Sequence, residues 1–379
     1  MARNRVIYQS EAIFISDDID SAGLNEHNNI NRVQSANYGF TINRQDINQY
    51  GQLSRLDSIA IESPLVSLDL SYYLTDGHNE QFLNLETDPS VGFLSGQMAT
   101  SSGQNIYIIT TPPGEDADSN NYSNFDVISI GNLFLTDYSV NFGIGQVPTV
   151  NASFEAANIS SQTQLTRTND FFSGIENASV NPVTNTKNTD EIQVPTSIAD
   201  HSPIPAISPK DVTITISNGS EITNLSTNKS GAHIQTASIN IPISRSPLQR
   251  FGTTIPYARA IDFPVNLDFS LNAVLNEINQ KNLSNVLDNP ENFSITIFCG
   301  DELNDFCRYS ISGAKLVSES FSSSIGSNKL VDLSFSAQVG GPTDQTNNIF
   351  FSGALNSISL TTENGDFLTT EAGEILTLE

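Results

Sequence analysis

Tryptophan is absent from this 379-residue sequence, methionine and cysteine occur twice each, and histidine four times. Lys and Arg total 16 against 42 Asp and Glu, for a formal charge of -26. Proteins that grip nucleic acid neutralise phosphates with clustered basic side chains, and this chain has no such surplus. The same deficit argues against docking on anionic membranes. No stretch approaches the roughly 20 apolar residues of a membrane-spanning helix. The opening MARNRVIYQSEAIFIS has no apolar core for a secretion signal, so the expectation is a soluble chain made in the cytoplasm. Its Asn-x-Ser/Thr triplets are then products of composition rather than glycosylation sites.

Catalytic motifs are also missing. There is no Gly-x-Ser-x-Gly elbow, phosphate-cradling Gly-Lys-Ser/Thr loop, dinucleotide fingerprint or His-Glu-x-x-His. His27, His78, His201 and His233 are far apart in polar surroundings and are expected on the surface. Of two acidic clusters, Asp17/Asp18/Asp20 and Glu115/Asp116/Asp118, the second begins like a calcium loop. It has Asn121 where the loop needs Gly and Val127 where it needs a bidentate Glu, so a solvated loop is expected. The expectation is no enzyme, no cofactor and no metal. Cys299 and Cys307 flank a turn at Gly300–Asp305 and leave two readings open, a hairpin disulfide and a reduced pair; a cytoplasmic chain favours the reduced pair.

What is present is a repeat. QSANYGFTINRQDINQYG (34–51) aligns without gaps to QTASINIPISRSPLQRFG (235–252), pairing Arg44 with Arg245, Tyr50 with Phe251 and Gly51 with Gly252. VSLDLS (66–71) matches VNLDFS (265–270), LTDYSVNFGIGQVPTVNASFEA (135–156) matches LVSESFSSSIGSNKLVDLSFSA (316–337), and FFSG (171–174) recurs at 350–353. The offsets run 201, 199, 181 and 179. The first copy therefore carries an insertion of about 18 residues, placed within Thr75–Tyr122, where turn-forming residues suggest a long exposed loop.

The expected organisation is a unit over 1–180, a proline-rich linker over 181–210, a second unit over 211–358 and an acidic hairpin or meander over 359–379. Pro182, Pro195, Pro203, Pro205 and Pro209 favour an extended, stiff linker. Alternating patterns such as Leu68, Leu70 and Tyr72 predict strands with one buried face, and Gly145 and Gly326 mark hairpin turns. One helix per unit is expected, over Leu271–Leu287 and, shorter, near Asn79–Leu85. The fold class is all-β: two tandem β-sandwich or barrel-like units with a short helix each.

Arg44 and Arg245 stand just before loop tips. An arginine there either caps its own loop, or Arg44 to Arg55 and Arg245 to Arg259 reach a neighbouring acidic subunit.

The layout NRQDINQYGQLSRLDSIAIESPLVSLDLSYYL with LTDYSVNFGIGQVPTVNASFEA, and again SRSPLQRFGTTIPYARAIDFPVNLDFSLNAVL with LVSESFSSSIGSNKLVDLSFSA, resembles the tail tube proteins of long-tailed bacteriophages. The resemblance covers most of both units. It implies sheets joined side by side into a ring, and rings stacked into a tube in the virion, with other tail proteins at its ends. Double-stranded DNA would pass through an acidic lumen without specific binding. Two units per chain imply three chains per ring. Arg44, Tyr50, Gly51 and Arg55, with Arg245, Arg250, Phe251 and Gly252, are the expected inter-subunit or stacking residues. The competing reading is a surface adhesion or carbohydrate-binding protein of tandem β-sandwiches. The lack of Trp for sugar stacking and of a secretion signal counts against it.

Overall fold

In Leu65–Tyr73 every second residue, Val66, Leu68, Leu70 and Tyr72, is apolar and buried, while Ser67 and Asp69 are exposed. A period of two makes such a segment a strand with one face in the core. The computed structural model bears out the all-β reading. It describes residues 11–16, 29–99, 103–112, 117, 124–166, 171–182, 184–195, 206–218, 225–226, 232–275, 292–300, 305–322, 330–353, 358–359 and 377–378.

The first half contains β1 (Glu11–Ser16), β2 (Val33–Thr41), β3 (Arg44–Ile47), β4 (Asp57–Ala60) and β5 (Leu65–Tyr73). Two short helices follow, α1 (His78–Phe82) and α2 (Ser95–Ala99), and then β6 (Gln104–Thr110), β7 (Asn124–Gly143), β8 (Thr149–Ala156) and β9 (Asn158–Thr166). The connecting region carries β10 (Phe171–Glu176), β11 (Val180–Asn181), β12 (Thr186–Lys187) and β13 (Glu191–Pro195). The second half contains β14 (Val212–Asn218), β15 (Leu225–Ser226), β16 (Ala232–Pro242), β17 (Arg245–Leu248), β18 (Ala258–Ile261), β19 (Val265–Leu275), β20 (Phe293–Gly300), β21 (Asp305–Ser322), β22 (Leu330–Val339) and β23 (Asn348–Gly353). Two short strands, β24 (Ile358–Ser359) and β25 (Thr377–Leu378), pair near the C-terminus.

Eight strands form one continuous antiparallel run in the order β21-β22-β19-β16-β7-β8-β5-β2. The long strands β7 and β21 each pass from this run into a second layer. The early part of β7 pairs β6 and β9, and its later part pairs β8 and β16. The early part of β21 likewise pairs β20 and β23, and its later part pairs β22. Each half is thus two sheets sharing a long strand, and one apolar core runs through both halves. The β10–β13 ribbon covers the outer face of the β1–β6–β7 layer, burying Phe14, Tyr107, Phe125, Phe172, Ile175, Ile192 and Val194 in a second cluster. That cover explains why β6 is buried at every position instead of alternating.

The pairings of the two halves coincide. Glu11 faces Thr110 as Val212 faces Cys299, and Ala36 faces Leu70 as Ala237 faces Leu271. Leu68 faces Phe154 as Phe269 faces Phe335, and Leu135 faces Phe154 as Leu316 faces Phe335. Register shifts recur too, at Val33/Ser35 and Ile234/Thr236, and at Leu135/Asp137 and Leu316/Ser318. The offset is 201 for β1 to β5 and 181 for β7 and β8.

Several expectations need correction. The match of Val66 to Val265 at offset 199 is two residues off, because pairing places Val66 with Leu267, each opposite an alanine of the next strand. The FFSG match joins unlike places: Phe350–Gly353 lies in β23 against β21, whereas Phe171–Gly174 lies in β10 against β13. Leu271–Leu275 is strand, not helix, pairing β16 across one register shift at Ile234/Thr236; alternation of Leu271 and Ala273 with Asn272 outweighs the helical spacing. Residues 276–287 lie outside the described residues, as do the turn at Gly326, His27, His201, both acidic clusters, and most of the C-terminal repeat. The first-half helix is present as α1. Part of the expected linker is folded, as β12 and β13.

The insertion within Thr75–Tyr122 is not an exposed loop. Leu83, Leu85, Phe93 and Leu94 are buried. The segment clamps onto the second half, with Phe93 N–H donating to the Ile349 carbonyl and Gly92 N–H to that of Pro342. Gly77, with φ of +95, is required here: a Cβ would fall 2.5 Å from the Phe351 ring.

Candidate assembly interface

The halves meet where β16 pairs β7, from Thr236 opposite Gly143 to Pro242 opposite Asp137. Two flanking backbone bonds extend the seam, Ile243 N–H to the Thr136 carbonyl and Ile144 N–H to the Gln235 carbonyl. Ile239 and Ile241 are fully buried in it.

Among the described residues, β2 and the later part of β21 lie at the two ends of the eight-strand run, each paired on one side only. On β2, Tyr38 is 42% and Phe40 60% exposed, where their equivalents Ile239 and Ile241 are 0% exposed. On β21, Val317 is 68% exposed, at the position matching Thr136. Each end thus presents backbone donors and acceptors of the kind that the internal seam pairs, and β2 also presents aromatic side chains at the places where the seam buries Ile239 and Ile241.

A hollow marks each place. At the seam a recess of about 270 Å³ is lined by Val212, Ile214, Ile234 and Thr236, closed by Phe142 and Pro148 of the first half. At the β2 edge a recess of about 220 Å³ is lined by the matching Glu11, Ile13, Val33 and Ser35, with Asn29 and Asn31.

The hairpins β3–β4 and β17–β18 carry the residues singled out from sequence. Tyr50 and Phe251 are wholly exposed at their tips, each followed by a glycine in the left-handed region, Gly51 at φ +86 and Gly252 at φ +92. Arg44, Arg55 and Arg250 are exposed; Arg55 pairs with Asp46 of its own hairpin at 3.1 Å, and Arg250 lies 5.8 Å from the Tyr257 ring centre. Arg245 behaves differently. Its Nε donates to the Leu135 carbonyl at 3.0 Å and its Nη2 to Gln97 Oε1 at 2.6 Å, and its guanidinium stacks over Phe134. Burial, and then Arg259 beside it, pull its pKa down to about 10. Arg259, buried, donates to Glu155 Oε2 at 2.5 Å. Two of the second hairpin's arginines, Arg245 and Arg259, therefore reach the first half of the same chain. Arg259 was read from sequence, with Arg245, as a contact to a neighbouring subunit, but its partner Glu155 was missed because it sits at no conspicuous motif position.

The open face of the eight-strand sheet carries Asn37, Asp69, Ser139, Asn141, Asn151, Ser153, Asn240, Asp268, Ser270, Ser320, Asp332 and Ser334. Among its described residues the one Lys or Arg is Lys315, at the bulge end of β21.

Sequence reasoning also missed a polar network inside the core. Tyr72 and Tyr138 hydroxyls donate to Glu80 Oε1 at 2.8 and 3.1 Å, and the Tyr138 and Tyr309 hydroxyls lie 2.8 Å apart. Glu80 Oε2 is buried without a hydrogen-bond partner. Burial pushes the Glu80 carboxyl up, with Asp76 adding to the shift and the tyrosine bonds offsetting part of it. Burial and the Glu80 charge push all three tyrosines well up. His78, expected on the surface, is half-buried against Phe82 and Asn29, while His233 is exposed. Cys299 and Cys307 are buried thiols opposite one another on β20 and β21. Among the described residues no three His, Cys, Asp or Glu side chains gather as a metal site.

No family model matches the chain, and no curated protein does. Among solved structures, a chain of the six-fold symmetrised cryo-EM structure of the anti-feeding prophage baseplate aligns with 13% identity and a TM-score of 0.29, over 40% of this chain and 98% of that one.

Proposed function

We propose that the chain is a structural virion subunit, a tail tube protein whose two halves are copies of one tube unit. Chains join head to tail, the β2 edge of one against the β21 edge of the next, and three close a ring with pseudo-sixfold symmetry. The observation that carries this reading is the β16–β7 seam, which already joins the two halves by matching edges and leaves the same two edge types at the ends. A head-to-tail contact between unlike edges closes a ring or runs on as a helix, and ring closure removes exposed edges that otherwise aggregate.

Three chains contributing eight strands each close a barrel of about 24 strands. At about 4.8 Å between strands and about 40° of tilt, it is about 48 Å across between backbones. Its lumen is lined by the Asn, Ser and Asp face described above, which offers DNA few cations to hold it by counterion release. The exposed tips at Tyr50 and Phe251 suit contacts with the next ring of a stack, and other tail proteins would cap the tube ends. The chain has no enzymatic role in this account. Electron microscopy of the purified protein tests it: rings or tubes support it, and isolated particles at all concentrations refute it.

A further inference from the structure

We infer that a second copy of this chain docks on β2 in one defined register, with Tyr38 opposite Phe321, and Gly39 opposite Ser320, of the next chain's β21. This rests on the head-to-tail reading above and adds its atomic register. At the internal seam Ser238, Ile239, Asn240, Ile241 and Pro242 face Asn141, Val140, Ser139, Tyr138 and Asp137. The offsets of 201 and 181 hold through every pairing that the two halves share around these strands, register shifts included. Applied to the seam, they set Asn37 against Ser322, Tyr38 against Phe321, Gly39 against Ser320, Phe40 against Glu319 and Thr41 against Ser318.

The side chains favour this register. Tyr38 and Phe40 point to the core side, as do Ile239 and Ile241, and a slip of one residue would turn both aromatics to the open face. Where the internal seam sets Ile239 against Val140, the new seam sets two aromatic rings against each other, a favourable cross-strand pair. The internal ion pair has no counterpart, since Ser58 and Ser336 stand where Arg259 and Glu155 do. The interchain seam therefore lacks that ion pair, and it sets Glu319 against Phe40 on the core side, where the internal seam has Tyr138 against Ile241.

Opposed residues in a sheet have Cα atoms about 4.5–5.5 Å apart, within disulfide reach, and nothing lies within 4 Å of a Cβ added at Gly39. The test is the full chain as Gly39→Cys/Ser320→Cys, oxidised after assembly and run on a non-reducing gel. A covalent species of three chains is expected, formed at least ten times faster than with the shifted pairs Asn37→Cys/Ser320→Cys and Gly39→Cys/Ser322→Cys. Asn37→Cys/Ser322→Cys keeps the register and should give the same product, which guards against one variant failing to fold. Faster closure by a shifted pair, or dimers from Gly39→Cys alone, overturns the register while rings in the microscope keep the tube reading. Absence of both cross-links and rings overturns the two together.

Discussion

The hydroxyls of Tyr138 and Tyr309 lie 2.8 Å apart, joining the first half of the chain to the second inside the core. Tyr138 donates to Glu80, so Tyr309 donates to Tyr138, and the chain of bonds ends on a carboxyl with one buried oxygen unpartnered. Removing the middle member, Tyr138→Phe, breaks both bonds at once. The expected loss is about 2–4 kcal/mol, measured by denaturant unfolding. Tyr72→Phe, which removes one bond, should cost less.

Glu80 gives the fold a pH dependence of known sign. Its folded pKa is raised above the unfolded value, so its contribution is fully present below the ordinary carboxylate range and is lost as pH rises through the folded value. Asp46, Asp88 and Asp344 are shifted down by hydrogen bonds and act in the opposite sense. The comparison of wild type with Glu80→Gln isolates the one group. The stability of wild type should fall more steeply from pH 4 to 7 than that of Glu80→Gln; parallel curves would show that Glu80 titrates normally.

The two ion pairs of the hairpins should behave unlike each other. Arg259 is buried, so Glu155→Ala strands its charge and should cost about 1–3 kcal/mol. Arg55 and Asp46 are both largely exposed, and Arg55→Ala should cost less than about 1 kcal/mol. Urea unfolding of the two variants checks the contrast.

Tyr50 and Phe251 touch nothing that folding buries. The double variant Tyr50→Ser/Phe251→Ser should keep its unfolding midpoint within about 0.5 kcal/mol of wild type. It should form rings that stack poorly, as sedimentation would show. A large loss of stability would place the tips within the folded unit instead.

Cys299 and Cys307 are fully buried thiols. Neither should react with a thiol reagent in the native protein, and both should react on unfolding.

The strands were legible where one face is wet, as in Val66–Tyr72, because period two survives there. The seam was half legible: the match of Arg44 to Arg245 marked the hairpins, but only pairing shows that Arg245 turns inward onto Leu135 and Gln97 while Arg44 stays exposed. The Thr75–Tyr122 insertion was misread because its turn residues bracket short apolar pieces, Leu83, Leu85, Phe93 and Leu94, whose burial depends on the distant Ile349 and Phe351. Leu271–Leu275 misled for a related reason: its leucines fit both periods, and the neighbouring strands decide between them. The Glu80 network carries no local signal, since its members lie up to 237 residues apart in a sequence where single tyrosines mean nothing alone.

The number of chains in a ring tests the account most directly. Native mass spectrometry of isolated rings, paired with image reconstruction, should give three chains and a threefold axis with approximate sixfold repetition, internal and interchain seams alternating. Six full chains per ring, or a monomer that neither closes nor stacks at high concentration, would contradict it.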